Sequence, residues 1–170
     1  MRRVKLSLAC SLDLRIAAAD GATDWISMDA DYGMTAFMAS VDTALIGRKT
    51  YDMARSTGNK FFSTMKNYVF SKSLPAGKSG EVEIVAEDAA DFTRRLKTQS
   101  GKDIWLFGGY KLTASLLAAE LVDEVRLVVY PVLLGGGPTV FGPLEKRQNW
   151  KLESCIPHKN STIVLHYSKA

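Results

Sequence analysis

The chain has 170 residues, of which 46% are hydrophobic and 24% are charged, a balance typical of one soluble globular domain with a substantial core. No apolar run approaches the ~20 residues that a membrane span requires. The formal net charge of +4 comes from scattered Lys and Arg residues. This scatter argues against a nucleic-acid-binding surface and leaves open a local positive potential for a phosphorylated small molecule. We therefore expect a single domain over residues 1–170 that binds neither nucleic acid nor membranes.

The chain begins Met1-Arg2-Arg3 but continues with alternating polar and apolar residues. A secretory signal needs a continuous apolar segment at this point, so we expect a cytoplasmic protein. Cys10 and Cys155 have no Cys or His at metal-ligand spacing, and the chain has two His in all. No metal site is therefore expected, and Cys10 is predicted to be a small core residue.

Residues 4–12 alternate between apolar and polar side chains, which predicts the first strand. Residues 13–28 lack a sustained period and are predicted to form a long loop, a kind of segment that is often functional. Trp25 in this loop either closes over a flat ligand or fills the core beneath it. Apolar residues at i, i+3, i+4 and i+7 predict a helix over 31–40, in whose first turn Asp31 suits the helix dipole.

The remainder of the chain continues this alternation and ends in strands. Further strands are predicted at 43–46, 67–70, 82–86, 104–107, 125–134, 150–156 and 162–167. Further helices are predicted after Tyr51, from Asp88 towards Gly101, and after Gly109, where Leu112, Ser115, Leu116 and Ala119 would line one side. Loops are predicted around Gly58, at 75–80 and at 135–138, and Pro131 indicates an edge strand or a bulge. This order predicts an α/β fold with a mainly parallel sheet, helices on both faces and antiparallel C-terminal strands.

The stretch Ile104–Thr113 is the one around which the other elements are arranged. Its apolar start suits a strand buried on both faces, and it leads directly into Gly108-Gly109 and a helix. Glycines allow close backbone approach, and a helix N-terminus favours a phosphate group. The alternative is an ordinary strand-to-helix turn, since a bare glycine pair is less specific than a full phosphate-loop motif.

Three predicted strand ends carry residues suited to phosphate groups: Gly47–Thr50, Ser71–Lys72 and Gly108–Thr113. Ligands of open α/β sheets bind at the carboxyl ends of strands, so the three ends can converge on one dinucleotide. The chain has neither Gly-x-Gly-x-x-Gly nor Gly-x-x-x-x-Gly-Lys, which excludes the commonest nucleotide-binding motifs.

Four segments together resemble the dihydrofolate reductase fold, in the branch related to the reductase domain of riboflavin biosynthesis. They are Ser11–Asp13, Asp42–Tyr51, Phe107–Gly109 and Tyr130–Gly137. The resemblance implies a three-layer α/β/α domain, an NADPH cofactor and a heterocyclic substrate.

The resemblance also assigns residues to roles. It implies that Gly47, Arg48 and Thr50 bind cofactor phosphate. It also implies that Ser71 and Lys72 contact the adenosine 2′-phosphate. Gly108 and Gly109 would be joined by a cis peptide and would lie against the cofactor. Tyr110, Leu112 and Thr113 follow that pair, and Ala9 and Ile16 match positions beside the nicotinamide. On the substrate side, it implies that Asp31 and Trp25 are catalytic and that Asp13 and Asp31 contact substrate. One departure is Leu14, since the riboflavin branch usually has glycine after that aspartate.

The implied function is hydride transfer from NADPH to a C=N-type carbon of a pteridine- or ribosylaminopyrimidine-like substrate, as in 5-amino-6-(5-phosphoribosylamino)uracil reductase. Asp31 would hold the heterocycle, and a partly dry pocket would raise the pKa of its carboxyl. The alternatives are dihydrofolate reductase activity and an NADPH-binding protein without significant catalysis. Family analogy also implies a homodimer through the late strands.

Overall fold

The computed structural model describes residues 1–56, 58 and 64–170. Its described elements form one nine-stranded sheet with four helices. In chain order they are β1 (Val4–Ser11), α1 (Met34–Ser40), β2 (Val41–Gly47), α2 (Arg48–Ser56), β3 (Lys66–Phe70), β4 (Gly77–Ser79), β5 (Val82–Val85), α3 (Ala89–Thr98), β6 (Asp103–Gly108), α4 (Tyr110–Ala118), β7 (Glu124–Tyr130), β8 (Trp150–Pro157) and β9 (Ile163–Lys169).

The strand order is β4-β5-β3-β2-β6-β1-β7-β9-β8. The six strands from β5 to β7 run parallel, whereas β4, β9 and β8 pair antiparallel with their neighbours. The predicted parallel centre and antiparallel C-terminal strands are therefore confirmed. The carboxyl ends of β2, β3 and β6 lie along one edge of this sheet, which is where the sequence predicts the ligand.

Alternate residues of β2 show that helices cover both faces. Ala44 and Ile46 pack in one cluster with Tyr51 of α2, whereas Leu45 lies in the main core with residues of α3 and α4. Trp105 contacts Phe37 of α1 edge to face, with ring centroids 5.5 Å apart. Because Trp105 is in register with Ala44, α1 lies on the same face as α2. The three layers predicted from the sequence are confirmed.

Asp88 caps α3 as predicted, because its carboxylate accepts hydrogen bonds from the backbone N–H groups of Ala90 and Asp91 at 2.9 and 3.0 Å. Cys10 is fully buried in the main core, also as predicted. No described helix is both long enough and apolar enough to span a membrane.

Five local predictions differ from the structure. Helix α2 begins at Arg48, directly after β2, rather than after Tyr51. Strand β4 lies inside the segment predicted as a link at 75–80, because its residues pair with β5 at the sheet edge. Strand β7 ends at Tyr130, before Pro131, and lies between β1 and β9 rather than at an edge. Proline lacks the N–H that would continue the ladder, so the chain leaves the sheet there.

The other two differences concern helices. Helix α1 begins at Met34 rather than Asp31, because Gly33 before it has a φ of 81°. In α4 the buried residues are Leu112, Thr113, Leu116 and Leu117, and Ala119 just beyond the helix packs against the main core. Only Ser115 of the predicted side is exposed, so the prediction is wrong at that residue. The predicted loop around Gly58 lies largely outside the described residues.

Candidate functional site

The ends of β2 and β6 meet at three glycines, Gly47, Gly108 and Gly109, which we call the glycine site. The peptide bond between Gly108 and Gly109 is cis, as the resemblance implies. A Cβ atom on Gly47 would lie 3.1 Å from the backbone nitrogen of Gly109, and one on Gly109 would lie 2.8 Å from Oγ1 of Thr50. A Cβ at either position would therefore require its neighbours to shift, whereas glycine leaves the backbone of two strand ends bare beside the start of α4.

Thr113 adds an unpaired hydroxyl to the glycine site. The residue is fully buried, and its Oγ1 has no hydrogen-bond partner among the described residues. That oxygen lies 4.0 Å from the position a Cβ of Gly108 would take. Buried hydroxyls are nearly always paired, so this atom is suited to a ligand group at the glycine site. A nucleotide phosphate suits these residues, because the first N–H groups of a helix such as α4 lack intrahelical partners and favour an anion.

Leu112 and Tyr110, which lie near Thr113 in α4, differ in their packing. Leu112 is buried in the main core, so its side chain anchors α4 there. Tyr110 is half-buried, with its ring beside Gly142. The roles predicted for both in cofactor binding stay predictions.

A positive patch lies where β3 ends, next to the start of α2. The terminal Nη1 of Arg48 lies 3.4 Å from Oγ of Ser73, and its Nε donates to the carboxylate of Asp52. Lys72 is exposed and forms no ion pair within the described part of the chain. The buried Oγ of Ser71 accepts hydrogen bonds from the N–H groups of Ser73 and Leu74, which shapes the turn. The structure thus places Arg48 at the turn that contains Ser71 and Lys72, and the cofactor-binding roles of the three residues stay predictions.

Sequence reasoning missed Ser73 and Asp52 in this patch. The available signals were the Ser-x-Ser spacing after β3 and the i,i+4 spacing between Arg48 and Asp52, which places both on one side of a helix.

Trp25 packs in an apolar cluster with Ala9 and Tyr130 at the end of β1. The indole ring meets the ring of Tyr130 edge to face, with centroids 5.7 Å apart. Its Nε1 is buried and has no hydrogen-bond partner among the residues that the structure describes. Trp25 therefore packs, partly buried, against the core beneath its loop, and its N–H is unpaired within the described part of the chain. Ile16 is held at the loop's other end, where its N–H donates to the carbonyl of Pro138 at 3.0 Å.

Asp31 is an exposed residue that lies just before α1 and forms hydrogen bonds to the first turn of that helix. Its Oδ1 accepts hydrogen bonds from the N–H and the hydroxyl of Thr35, at 3.0 and 2.8 Å. These bonds to Thr35 lower the pKa of Asp31, with a smaller contribution from the charge of Arg126. The expectation of a raised pKa is therefore wrong, since the carboxyl is exposed rather than in a dry pocket. A direct role in catalysis stays a prediction.

Arg126 is a second feature that sequence reasoning missed. Its guanidinium donates to Oγ of Ser7 at 3.0 Å and to the carbonyl oxygen of Tyr32, so it ties β1 and β7 to the segment that carries Asp31. Burial lowers the pKa of Arg126. The sequence offered one signal for Arg126. Because side chains alternate along a strand, Arg126 lies on the same face of β7 as Glu124 and Val128.

Comparison with known proteins places the chain in a family. The RibD C-terminal domain matches residues 2–164. The chain belongs to the RibD C-terminal domain family. YyaP, an uncharacterised protein of Bacillus subtilis (strain 168), is 32% identical over 178 residues, which cover 98% of this chain and 94% of YyaP.

Two solved structures superpose on this RibD C-terminal domain. A protein of Shewanella sp. PV-4, provisionally assigned to riboflavin biosynthesis, superposes with a TM-score of 0.88 at 26% identity over 99% of both chains. A diaminohydroxyphosphoribosylaminopyrimidine deaminase/5-amino-6-(5-phosphoribosylamino)uracil reductase of Thermotoga maritima superposes with a TM-score of 0.76 at 17% identity. That match covers 99% of this chain and 57% of the Thermotoga protein, and at this identity it shows the fold alone. The predicted resemblance and fold are confirmed.

Asp13 joins two loops of this RibD C-terminal domain. Its carboxylate accepts hydrogen bonds from the Ser11 hydroxyl at 2.6 Å and from the N–H groups of Leu134 and Gly135 at 3.1 and 2.9 Å. Leu14 follows with a φ of 55°, so it adopts the left-handed backbone for which glycine is favoured. The turn is therefore kept despite the departure from the family pattern, and the carboxylate of Asp13 is directed at the loop 131–138. The substrate contact predicted for Asp13 stays a prediction.

Replacing Asp13 with asparagine is expected to remove part of the protein's acid sensitivity. Hydrogen bonds, first from Ser11 and then from Leu134, lower the pKa of Asp13 from 3.8 to about 2. A lowered pKa means that the unfolded chain binds the proton more readily, so this stabilisation is present above about pH 4 and is lost as the pH falls towards 2. Urea unfolding at pH 6, 4 and 2.5 should show the wild-type advantage over Asp13→Asn shrinking with pH. Asp24→Asn, at an exposed aspartate of the same loop, is the control. An advantage that stays constant across the three pH values would contradict the assignment.

Proposed function

We propose that this protein is an NADPH-dependent reductase of a pteridine- or ribosylaminopyrimidine-like heterocycle, most like 5-amino-6-(5-phosphoribosylamino)uracil reductase. The observation that supports it most is the glycine site, where the buried Oγ1 of Thr113 has no hydrogen-bond partner among the described residues and lies close to Gly108 at the end of β6. Family membership adds weight, since a structural neighbour that shares the fold carries a reductase name.

NADPH suits the residues along this sheet edge. Gly47, Thr50 and the glycine pair would hold the diphosphate with Thr113, and Arg48 with Lys72 would meet the 2′-phosphate. Ala9 and Ile16 would lie beside the nicotinamide, and bound NADPH would supply the hydride. The protein's own contribution is the position and electrostatic environment of the two reactants.

On the substrate side, the heterocycle would lie near Ala9 and Trp25, where the free indole N–H offers a donor to a ring carbonyl. With its lowered pKa, Asp31 would be ionised at neutral pH and would accept a hydrogen bond from a ring N–H.

Asp31→Asn should lower turnover of the true substrate with little change in NADPH binding. Equal turnover in wild type and variant would remove Asp31 from the mechanism.

Thermal unfolding with NADPH, with NADH and with neither tests the cofactor assignment. A ligand at ~100 times its dissociation constant stabilises the folded state by ~2.7 kcal/mol, or roughly 5–10 °C for a domain of this size. We expect this shift with NADPH and a clearly smaller one with NADH, because the positive patch has no 2′-phosphate to meet in NADH. No shift with either cofactor at millimolar concentration would overturn the reductase proposal.

A second candidate is an NADPH-binding protein without significant catalysis. One observation favours it: the pKa of Asp31, which was expected to be raised in a partly dry pocket, is lowered instead. Oxidation of NADPH on addition of pteridine or aminopyrimidine substrates separates the two, since a binding protein would show the thermal shift without oxidation. Activity on dihydrofolate alone would instead support the folate reductase alternative.

We also propose a homodimer through the late strands. β8 lies at the end of the sheet, and its Leu152 and Ile156 are each about half exposed, at 50% and 51%. An edge strand with exposed apolar residues is suited to pairing with another chain. Sedimentation equilibrium that shows a monomer at tens of micromolar protein would overturn the proposal.

A further inference from the structure

The side chain of Arg48 is held at its inner end by Asp52, one helical turn later in α2. Its Nε lies 2.9 and 2.7 Å from the two carboxylate oxygens, so a single N–H points between them. This is not the paired contact in which two guanidinium nitrogens face a carboxylate. The two terminal nitrogens therefore remain free of Asp52, and Nη1 reaches Oγ of Ser73 at a long 3.4 Å.

The terminal nitrogens of Arg48 thus lie next to the turn that follows β3. In this turn Lys72 is exposed, and hydrogen bonds to the Ser71 hydroxyl shape the backbone. Arg48 is 37% exposed and Asp52 is 49% exposed. An i,i+4 pair as exposed as this one contributes little to folding stability. What it changes is the freedom of the arginine, whose long side chain would otherwise sample many rotamers.

We propose that Asp52 is a positioning residue that orients the guanidinium of Arg48 towards a phosphate at the turn after β3, and so sets the preference for a 2′-phosphorylated cofactor. This inference rests on the proposed NADPH-dependent function. Immobilising one rotamer-rich side chain on binding corresponds to roughly a threefold to tenfold loss of affinity. Asp52 would remove that loss for the phosphorylated cofactor, because NADH has no 2′-phosphate for the terminal nitrogens of Arg48 to contact.

The negative charge of Asp52 also acts against a phosphate, and the geometry indicates which effect is larger. Asp52 contacts Nε directly, whereas a phosphate on the terminal nitrogens would lie across the guanidinium from the carboxylate. Solvent and salt screen repulsion between groups this exposed. The orienting contact should therefore outweigh the repulsion.

Two substitutions at Asp52 separate orientation from charge. Asp52→Ala removes both, whereas Asp52→Asn keeps a carbonyl oxygen that accepts the Nε hydrogen bond and removes only the charge. Isothermal titration with NADPH and NADH should show Asp52→Ala weakening NADPH binding threefold to tenfold with NADH unchanged. Asp52→Asn should stay within about twofold of wild type for both cofactors. Asp91→Ala is the matched control, because Asp91 forms a similarly exposed pair with Arg94 on the opposite face of the sheet.

Arg48→Ala and the double variant Arg48→Ala/Asp52→Ala complete a cycle. If Asp52 acts through Arg48, removing Asp52 has no further effect once Arg48 is absent. Unchanged or tighter NADPH binding in Asp52→Ala would overturn the inference while leaving the cofactor assignment intact, as would tighter binding in the double variant than in Arg48→Ala. A wild-type protein that binds NADPH and NADH equally would overturn both the inference and the NADPH preference on which it rests.

Discussion

Replacing Gly137 with alanine is expected to lower the free energy of unfolding by about 3 kcal/mol, a loss near the upper end for overpacking. The added Cβ would lie 2.1 Å from the carbonyl oxygen of Ala17 and 2.8 Å from the carbonyl carbon of Ala18. Both are backbone atoms, so no rotamer change relieves the contact. Gly137 also has a φ of 98°, which adds strain for any L-residue. Urea unfolding followed by far-UV circular dichroism measures the loss.

Gly135 provides the matched control for Gly137 within the same loop. It has a φ of 70°, and no atom of the described residues lies within 4 Å of the position of its Cβ. Gly135→Ala should therefore show only the left-handed strain of about 1 kcal/mol. Equal destabilisation by the two variants would contradict the close packing of the loops at 13–18 and 131–139.

Replacing Gly109 with alanine is expected to weaken NADPH binding at least tenfold, which removes about 1.4 kcal/mol or more of cofactor stabilisation at a fixed NADPH concentration. The Cβ would lie 2.8 Å from Oγ1 of Thr50, so one of the two residues must move. It would also stand on the bare backbone that the proposed diphosphate approaches. The thermal shift with NADPH, compared with wild type at the same concentration, is the readout.

Thr50→Ala and the double variant with Gly109→Ala separate the two causes of this loss. The double variant removes the Oγ1 collision but keeps the Cβ at the glycine site, so its unliganded stability should recover. Its NADPH binding should stay weaker than that of Thr50→Ala alone, which measures the loss of the proposed Thr50 contact by itself. Gly136→Ala is a control at a glycine without a left-handed φ, where Ala19 Cβ at 3.3 Å is the nearest atom. Undiminished NADPH binding by Gly109→Ala would contradict the proposed cofactor position.

Local pattern was enough to predict most of the sheet. The alternation at the start of the chain, the apolar run before Gly108 and the Asp88 cap each depend on residues a few positions apart, and the structure confirms all three. The predictions for two segments were wrong because their structure depends on more than local apolar periodicity. β4 is defined by its pairing with β5, and the end of β7 by the loss of an N–H donor at Pro131, so neither follows from apolar periodicity alone.

The sequence by itself determined which strand ends carry glycines and cations, because parallel strands place their carboxyl ends at one edge whatever their order. It also determined the family, since the spacing of the four resembling segments extends over most of the chain. Only the tertiary structure decided that Asp52 and Ser73 contact Arg48, that the Thr113 hydroxyl has no partner in the described part of the chain, and that Asp31 has a lowered pKa. The reason is physical: hydrogen-bond partners and burial depend on where separate segments meet, and pKa follows from both.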